Sequence, residues 1–263
     1  MRNATGTAEL NKRQEIIKNL LAERGRLSVE DLAIEMGVAP MTIRRDFTAL
    51  EKAGILTRTH GGCVPRSAFV QEIPFSAKER KQQRQKVAIA RAVIPFIEPG
   101  MTIYLDTGTT AVRVAGLLPG ASNLRVFTNN LRVATELFSR EGVEVVVYGG
   151  TLAQQSPDLI GEVGVTRIRD FRIDLAVMGA DAIDAEKGEF YSADLATAML
   201  SRAAQEQAGK TLVVLDGSKF GKRSFAVVGR LDEQVTVITD ASAPQADRQR
   251  LIGFGANVIV AEE

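Results

Sequence analysis

The pattern of hydrophobic positions changes near residue 100 of the chain. In the first part, apolar residues recur three and four positions apart, which is the period of amphipathic helices with one buried face. From residue 101 onward, short runs of β-branched residues alternate with helical patterns. Such alternation is typical of a mainly parallel sheet covered by helices. The pattern therefore predicts a small helical domain followed by a larger α/β domain.

Three helices are predicted in the smaller domain. The first covers residues 11–24, and the second is VEDLAIEM, which Ser28 caps and Gly37 ends. The third begins at Pro40, because a missing N–H costs nothing at the first helical position, and Gly54 is its expected terminator. Its buried stripe is predicted to contain Ile43, Phe47, Leu50 and Gly54.

The other face of the third helix and the segment after it favour DNA binding. The segment ILTRTHGGCV predicts two short strands joined by a Gly-Gly turn, which is the wing of a winged helix-turn-helix. An arginine on such a helix can pair with two guanine acceptors or clamp a phosphate. For the helix alone, a solvated surface helix is the alternative. The predicted DNA-binding residues are Met41, Thr42, Arg44, Arg45, Thr48, Lys52, Arg58 and His60.

Seven strands are predicted in the larger domain, with helical stretches between several of them. Residues 65–77 contain two prolines and no clear period. We therefore assign residues 1–66 to the winged helix-turn-helix domain, 67–77 to a linker and 78–263 to the α/β domain. Residues 78–97 are expected to form one helix whose charged start faces solvent, with contact to DNA as the alternative. The predicted strands are TIYLD, LRVFT, VEVVVY, IDLAVMG, TLVVLD, VTVIT and NVIVA.

The residues that follow the predicted strands indicate a ligand site, because ligands in open α/β sheets bind beyond the carboxyl ends of the strands. The segment DTGTT suits a phosphate, since glycine permits close backbone approach and the following helix N-terminus attracts anions. Lys219 could neutralise that phosphate, and Asp181 could accept hydrogen bonds from sugar hydroxyls. Alternatively, strand-to-helix turns simply require these residue types. The candidate effector-binding residues are Asp106, Thr107, Gly108, Thr109, Thr110, Thr128, Asn129, Asn130, Gly149, Gly150, Gly179, Asp181 and Lys219.

The charge of the chain is unevenly distributed, although its formal net charge is only +1. Residues 1–86 contain 16 Lys and Arg against 10 Asp and Glu, whereas residues 87–263 contain 17 against 22. This asymmetry indicates that only the first part meets a polyanion.

Composition limits the other possibilities. No apolar run is long enough to span a bilayer and no signal-like block begins the sequence, so we expect a cytoplasmic protein without a membrane partner. The single cysteine, Cys63, cannot form an internal disulfide and is expected to be a plain small side chain. The single histidine, His60, is as consistent with solvent as with DNA, and a His/Cys metal site or His-based triad is not expected. We therefore predict no metal and no cofactor.

The stretch TIRRDFTALEKAGILTRTHGG, preceded by SVEDLAIEMGV, resembles the signature of the DeoR family of bacterial transcription regulators. The resemblance implies that TIRRD lies on the recognition helix and that HGG forms the tip of the wing. One departure is Ala39, which stands where the family pattern leads us to expect serine or a similar N-cap. This departure could alter which bases Met41 and Thr42 meet.

The larger domain resembles the effector domain of the same family, which is similar in fold to ribose-5-phosphate isomerase, glucosamine-6-phosphate deaminase and CoA-transferase relatives. The resemblance makes DTGTT the phosphate loop, GADAID the acidic loop and DGSKF the lysine-bearing loop. The isomerases carry a catalytic glutamate about where Ser201 stands, and no histidine or lysine nearby in sequence would activate this serine. The stretch EFYSADLATA also departs from the family pattern, which leaves Tyr191 and Ser192 open as ligand contacts.

These observations predict a repressor of a carbohydrate catabolic operon. Its expected partners are double-stranded operator DNA, a phosphorylated sugar, polyol or related metabolite that lowers DNA affinity, and further copies of the chain in a homo-oligomer, a dimer or a tetramer. The alternative is a sugar-phosphate isomerase-like enzyme with an attached DNA-binding module, and Ser201 argues against it. An activator built from the same parts fits the sequence equally well.

Overall fold

The computed structural model describes residues 10–24, 27–59, 61–65, 69–70, 73–120 and 122–262. The chain divides into two separately packed units, residues 1–70 and residues 71–263. Among the helices in the described ranges, none combines the length and the apolar character needed to cross a bilayer.

The first unit is a winged helix-turn-helix, as predicted. Its elements are α1 (Lys12–Arg24), β1 (Leu27–Ser28), α2 (Val29–Met36), α3 (Pro40–Lys52), β2 (Leu56–Thr59), β3 (Gly62–Pro65) and β4 (Phe69–Val70). Strands β2 and β3 are the predicted wing, and β1 extends it to an antiparallel sheet in the order β1-β3-β2. The sequence pattern did not predict β1, which has only two residues.

The helix boundaries of this unit follow from its capping residues. The Ser28 hydroxyl accepts a hydrogen bond from the Asp31 N–H at 3.3 Å, and Gly37 ends α2 in the left-handed region at φ +64°. Helix α3 starts at Pro40 and ends at Lys52, so Gly54 lies beyond the helix and not on its buried stripe, which corrects the prediction.

An aspartate takes a place on the buried stripe of α3 that the sequence pattern assigned to apolar residues. Asp46 is 3% exposed beside Ile43, Phe47 and Leu50. Its carboxylate accepts hydrogen bonds from the side chains of two α1 residues, Arg13 and Gln14. Because both oxygens have partners, the burial of this charge is tolerated.

The second unit contains seven helices and thirteen strands within the described part of the chain. Its helices are α4 (Phe75–Arg80), α5 (Gln83–Val93), α6 (Thr109–Leu117), α7 (Leu131–Leu137), α8 (Glu162–Ile168), α9 (Leu195–Gln207) and α10 (Gln245–Gly253), with 3-10 turns at Ile94–Phe96 and Gly217–Lys219. Its strands are β5 (Thr102–Leu105), β6 (Leu124–Thr128), β7 (Val143–Val147), β8 (Thr151–Leu152), β9 (Leu159–Ile160), β10 (Ile173–Gly179), β11 (Ala182–Asp184), β12 (Glu189–Ser192), β13 (Ala208–Val214), β14 (Arg223–Ser224), β15 (Ala226–Arg230), β16 (Val235–Asp240) and β17 (Asn257–Ala261).

Seven of these strands form one parallel sheet in the order β17-β16-β13-β10-β5-β6-β7. They are the seven predicted strands, so the α/β prediction is confirmed. Alternate residues of each strand face opposite sides of the sheet. Ile103 and Leu105 accordingly join the core that contains Val114 of α6, whereas Tyr104 joins the core that contains Leu200 of α9.

Two smaller sheets were not predicted. Strands β11, β12 and β15 pair antiparallel, and β8 and β9 form a two-stranded hairpin. These strands contain two to five residues each, which is too short for a periodic pattern to stand out.

The segment before the sheet also differs from the prediction. Helix α4 begins at Phe75, inside the predicted linker of residues 67–77, because the Phe75 side chain is buried in the core of the second unit. The single helix predicted for residues 78–97 is broken after Arg80, and Gln82 adopts a left-handed conformation with φ +51°. The charged residues here are therefore distributed over two helices that meet at a sharp bend.

Candidate functional site

Helix α3 carries six of the residues predicted to bind DNA, and Arg58 lies on strand β2 of the wing. Met41 is 68% exposed, and Arg44, Arg45, Lys52 and Arg58 are also exposed. Thr42 and Thr48 are partly buried, and His60 lies outside the described residues. The exposed positions are open to a DNA groove or its phosphates.

The contacts on this face distinguish the three arginines. Arg44 Nη2 lies 3.3 Å from Glu30 Oε1 on α2. Arg58 Nη1 donates to Thr48 Oγ1 at 3.1 Å, so the wing is tied to α3 by a hydrogen bond. Arg45 forms no hydrogen bond or ion pair with any described residue, which leaves its five N–H groups available for DNA.

A cavity of about 500 Å³ lies in the second unit at the carboxyl ends of β5, β10 and β13. Eight of the thirteen candidate effector-binding residues line it: Asp106, Thr107, Gly108, Thr109, Thr110, Gly179, Asp181 and Lys219. The cavity position agrees with the rule that open α/β sheets bind ligands beyond their strand ends. Five candidates do not line it: Thr128, Asn129, Asn130, Gly149 and Gly150.

The DTGTT loop brings the N-terminus of α6 to this cavity. Gly108 is the N-cap at φ +98°, a conformation that favours glycine over residues with a Cβ. Helix α6 starts at Thr109, and the first N–H groups of a helix have no partner within it. These N–H groups and the partial positive charge of the helix terminus suit an anionic ligand group.

Asp106 forms the floor of the cavity in a buried hydrogen-bond network. Its carboxylate accepts hydrogen bonds from Ser201 Oγ at 2.9 Å, Tyr104 OH at 3.0 Å and the Gly179 N–H at 3.3 Å. Burial raises the pKa of Asp106 to about 7, although the Thr107 N–H, Ser201 and Tyr104 act to lower it. Asp106 therefore carries only part of its charge near neutral pH.

Two lysines and an aspartate, Lys78, Lys219 and Asp181, line the cavity. Lys78 Nζ of α4 lies 2.7 Å from Asp181 Oδ1, and Asp181 Oδ2 accepts a hydrogen bond from the Ala193 N–H at 2.9 Å. Burial acts to raise the pKa of Asp181, but the charge and hydrogen bond of Lys78 outweigh it and hold the pKa below its usual value. Lys219 forms no ion pair with a described residue, and burial lowers its pKa.

The candidates that do not reach the cavity have structural contacts. Asn129 donates its amide to the Leu159 carbonyl at 3.0 Å, and the Asn130 side chain caps α7. Thr128 Oγ1 accepts a hydrogen bond from the Asn130 N–H at 3.0 Å. The pair Gly149-Gly150 leads into the β8–β9 hairpin, where a Cβ on Gly150 would lie 2.5 Å from the Ile160 carbonyl oxygen.

Several residues that line the cavity were not candidates from the sequence. They include Lys78, Lys81, Lys86, Asp158, Asp194, Thr197, Ser201, Asp216, Ser218 and Lys222. The sequence pattern predicts that the lysines of α4 and α5 face solvent, yet Lys86 is only 6% exposed. The sequence indicates these residues only through the high lysine content of residues 78–86. That content does not show whether the side chains face solvent or the cavity.

The two residues that the sequence leaves open as ligand contacts have different positions. Ser192 lines the cavity, whereas Tyr191 does not and donates its hydroxyl to Glu189 Oε2 at 2.7 Å. Cys63 is fully buried in the first unit, and burial raises the pKa of its thiol to about 12. Because the raised pKa keeps the thiol protonated and the thiolate is the reactive form, Cys63 serves as a packing residue.

Comparison with known families matches both units. Residues 13–67 match the model of the DeoR-like helix-turn-helix domain. Residues 81–241 match the model of the DeoR C terminal sensor domain.

Similar curated proteins match along nearly the whole chain. The HTH-type transcriptional repressor CsqR of Escherichia coli K12 is 33% identical and covers 96% of both chains. The glycerol-3-phosphate regulon repressor of the same strain is 34% identical over 91% of this chain and 94% of its own. A putative aga operon transcriptional repressor of E. coli O157:H7 is 32% identical over 100% and 97%.

Solved structures give a more distant likeness. A D-ribose-5-phosphate isomerase in complex with phospho-erythronic acid has a TM-score of 0.39 and 20% identity, covering 52% of this chain and 54% of its own. Ribose 5-phosphate isomerase A of Methanocaldococcus jannaschii has a TM-score of 0.40 and 15% identity, covering 53% and 55%.

Proposed function

This chain belongs to the DeoR family of transcriptional repressors, and on that premise we propose that the cavity of its second unit binds a phosphorylated sugar or polyol that releases operator DNA. One observation carries the proposal. The N-terminus of α6 and Lys219, which has no ion-pair partner in the described chain, line the same cavity. Together they offer the backbone donors and the cation that a phosphate requires.

The pairing of the charged residues in the cavity supports an anionic ligand. Five lysines and five aspartates line it. Three of the aspartates already accept hydrogen bonds from Lys78 or from their own helical turns, namely Asp181, Asp194 and Asp216. Asp106 is partly protonated near neutral pH because burial raises its pKa to about 7. These aspartates are engaged within the protein, so Lys219, which has no ion-pair partner among the described residues, is a cation left to pair with a phosphate.

The size and the polar lining favour a small, hydroxylated ligand. A volume of about 500 Å³ falls within the usual range of small-molecule sites. Ser192, Thr197 and Ser218 add hydroxyl groups that can pair with sugar or polyol hydroxyls. Two relatives are named for a glycerol-3-phosphate regulon and an aga operon, which supports control of a carbohydrate catabolic operon here.

We favour binding without turnover over the isomerase-like alternative. The serine at position 201 donates its hydroxyl to Asp106 and is 2% exposed, so neither group is free to move a substrate proton. The relatives that match along nearly the whole chain are named as regulators. We further propose that the protein acts in the cytoplasm as a homo-oligomer, because one small DNA-binding module reads one half-site.

The ligand is identified by thermal unfolding with and without phosphorylated compounds. We would test glycerol 3-phosphate, ribose 5-phosphate and an amino sugar 6-phosphate, each beside its unphosphorylated counterpart. A ligand at 100 times its dissociation constant stabilises by about 2.7 kcal/mol. Stabilisation by unphosphorylated compounds alone would contradict the phosphate assignment.

The site is then tested by substitution. Lys219→Ala removes the cation and should weaken ligand binding by about 1.5–3 kcal/mol, whereas Thr109→Ala removes one hydroxyl and should cost about 0.5–1.5 kcal/mol. Lys187→Ala is the matched control, because Lys187 is exposed and does not line the cavity. Both site variants should hold operator DNA at ligand concentrations that release the wild type. Release at the wild-type concentration would show that DTGTT is only a strand-to-helix turn.

A further inference from the structure

Helix α4 is anchored to the second unit by contacts on two sides. On one side, Phe75 is 8% exposed in the core, and the Arg132 guanidinium lies 5.8 Å from the centre of its ring. Arg132 also pairs with Glu79 of α4 at 3.3 Å. These contacts hold the start and the outer face of the helix.

On the other side, α4 is held by two ammonium groups in the cavity. Lys78 Nζ pairs with Asp181 Oδ1 at 2.7 Å, and both side chains are largely buried at 23% and 14% exposure. Lys86 Nζ of α5 donates to the Lys78 carbonyl and, at 2.7 Å, to the Lys81 carbonyl. Lys86 thus adds a charged donor to two carbonyl groups at the end of α4, and the Lys78 carbonyl also accepts the Lys81 N–H at 3.2 Å.

Both ammonium groups are also accessible to a cavity ligand. Lys78 and Lys86 line the cavity beside the α6 N-terminus. Lys86 forms no ion pair with a described carboxylate, and burial lowers its pKa to about 8. Its charge is therefore compensated mainly by carbonyl dipoles, so a phosphate oxygen would be a stronger partner than those it has.

Helix α4 also occupies a special position along the chain. The two units are contiguous in sequence, and the chain crosses from one to the other once. Helix α4 begins five residues after Val70, where the first unit ends. The backbone connection between the cavity and the first unit therefore runs through α4.

We propose that α4 is the element that couples the cavity to DNA binding. A phosphorylated ligand competes with Asp181 for Lys78 and with the α4 carbonyls for Lys86, and α4 loosens at its cavity side. This inference rests on the proposed function, since it requires an anionic ligand in this cavity. A ligand changes an equilibrium only through its different affinity for two states, and the exchange of lysine partners supplies that difference.

The coupling can be tested without knowing the ligand. Asp181→Asn removes the partner of Lys78 and should imitate the ligand in the unliganded full-length protein. We expect faster hydrogen exchange in the α4 amides and about 5- to 150-fold weaker operator binding, the range typical of allosteric coupling. Lys78→Gln breaks the same pair from the other side and should act in the same direction, which covers the case that one variant misfolds.

The matched control is Glu144→Gln. It breaks the Arg125–Glu144 ion pair, which has the same 2.7 Å length but is exposed and does not line the cavity. This variant should exchange and bind operator like the wild type. If both cavity variants retain wild-type α4 exchange and wild-type operator affinity, the coupling role of α4 is wrong.

A second arm separates this inference from the proposed function. The wild type is followed by hydrogen exchange with inorganic phosphate and with glycerol 3-phosphate as probes. If a probe stabilises the protein without changing α4 exchange, the cavity function stands and the coupling is overturned. If the two variants loosen α4 and weaken operator binding while no phosphorylated compound stabilises the protein, the link between α4 and operator binding stands, but the ligand assignment and the exchange of lysine partners by a phosphate both fail.

Discussion

The face of the first unit that is predicted to bind DNA and the cavity of the second unit hold charged residues in opposite surroundings. On α3, the Arg44 side chain is 48% exposed and has one protein partner, while Arg45 has none among the described residues. In the cavity, Lys86 and Asp106 are 6% and 2% exposed and each has at least two hydrogen-bond partners. The exposed arginines can contact a polyanion directly. In the cavity, burial and neighbouring charges shift the pKa values of the ionisable side chains.

The largest expected effect is on the free energy of unfolding, which should depend on pH because Asp106 is buried in the cavity. Its folded-state pKa is raised from 3.8 to about 7 by burial, so the unfolded chain loses the proton first. The free energy of unfolding should therefore fall as pH rises from about 4 to about 7, by about 4 kcal/mol for a shift of about three units. Asp106→Asn should remove this decline, measured by denaturant unfolding at a series of pH values.

A second variant sharpens the test. Ser201→Ala removes a hydrogen bond that lowers the pKa of Asp106, so the decline should continue to higher pH than in the wild type. If Asp106→Asn and the wild type differ by the same amount at pH 4 and pH 7, the cavity does not perturb this carboxylate. The contrast with the exposed face would then be lost.

On the predicted DNA-binding face, we expect a loss of operator affinity of intermediate size. The loss should be larger for an arginine that has no partner within the protein. Arg45→Ala and Arg44→Ala should each weaken operator binding by about 1–3 kcal/mol, with the larger loss at Arg45. The reason is that Arg44 already pairs with Glu30, so part of its interaction is made within the protein. Affinity would be measured on a DNA fragment that the wild type selects from a random pool.

Salt dependence distinguishes base reading from phosphate binding in these variants. A lost phosphate contact lowers affinity uniformly across sequences and reduces the salt slope by about one. A lost base contact relaxes discrimination at one position. Wild-type affinity in both arginine variants would remove α3 as the DNA-reading helix.

The smallest expected effect concerns the start of α3. Ala39 is its N-cap in an extended conformation, with φ −64° and ψ 144°, and it offers no side-chain acceptor. Ala39→Ser should supply one and stabilise the first unit by about 1 kcal/mol, measured by thermal unfolding. Ala53→Ser at the other end of α3 is the control, because a hydroxyl there meets no unpaired helical N–H groups. Equal changes at both ends would contradict the capping explanation.

The sequence predicted the parallel strands well because each strand is marked by its own run of β-branched residues. All seven predicted strands lie in the main sheet, and Ser28, Gly37 and Pro40 mark helix boundaries as expected. These features depend on residues within a few positions of each other. The DNA-binding face is likewise local, since α3 and the wing are adjacent in the chain.

The cavity was predicted only in part because sheet order is not a local property. The loops after β5, β10 and β13 meet because those strands are neighbours at the centre of the sheet. Strands β6 and β7 lie towards one edge, so the residues after them, Asn129, Asn130 and Gly150, cap helices or pack loops instead. Lys78 pairs with a residue 103 positions later, and no pattern within residues 78–97 could indicate that contact.

The hydrogen bond between Ser201 and Asp106 also constrains the order in which substitutions at these two positions can occur. The two oxygens are 2.9 Å apart in a site where both residues are nearly inaccessible. An acidic side chain introduced at position 201 would set a second carboxylate against the first, and two such groups cannot both ionise there. An acid at position 201 is therefore disfavoured until position 106 has first lost its carboxylate. The order of substitutions at positions 106 and 201 therefore matters. A change from ligand sensing to proton-transfer chemistry is hard to reach by one substitution at a time, because position 106 would have to change first.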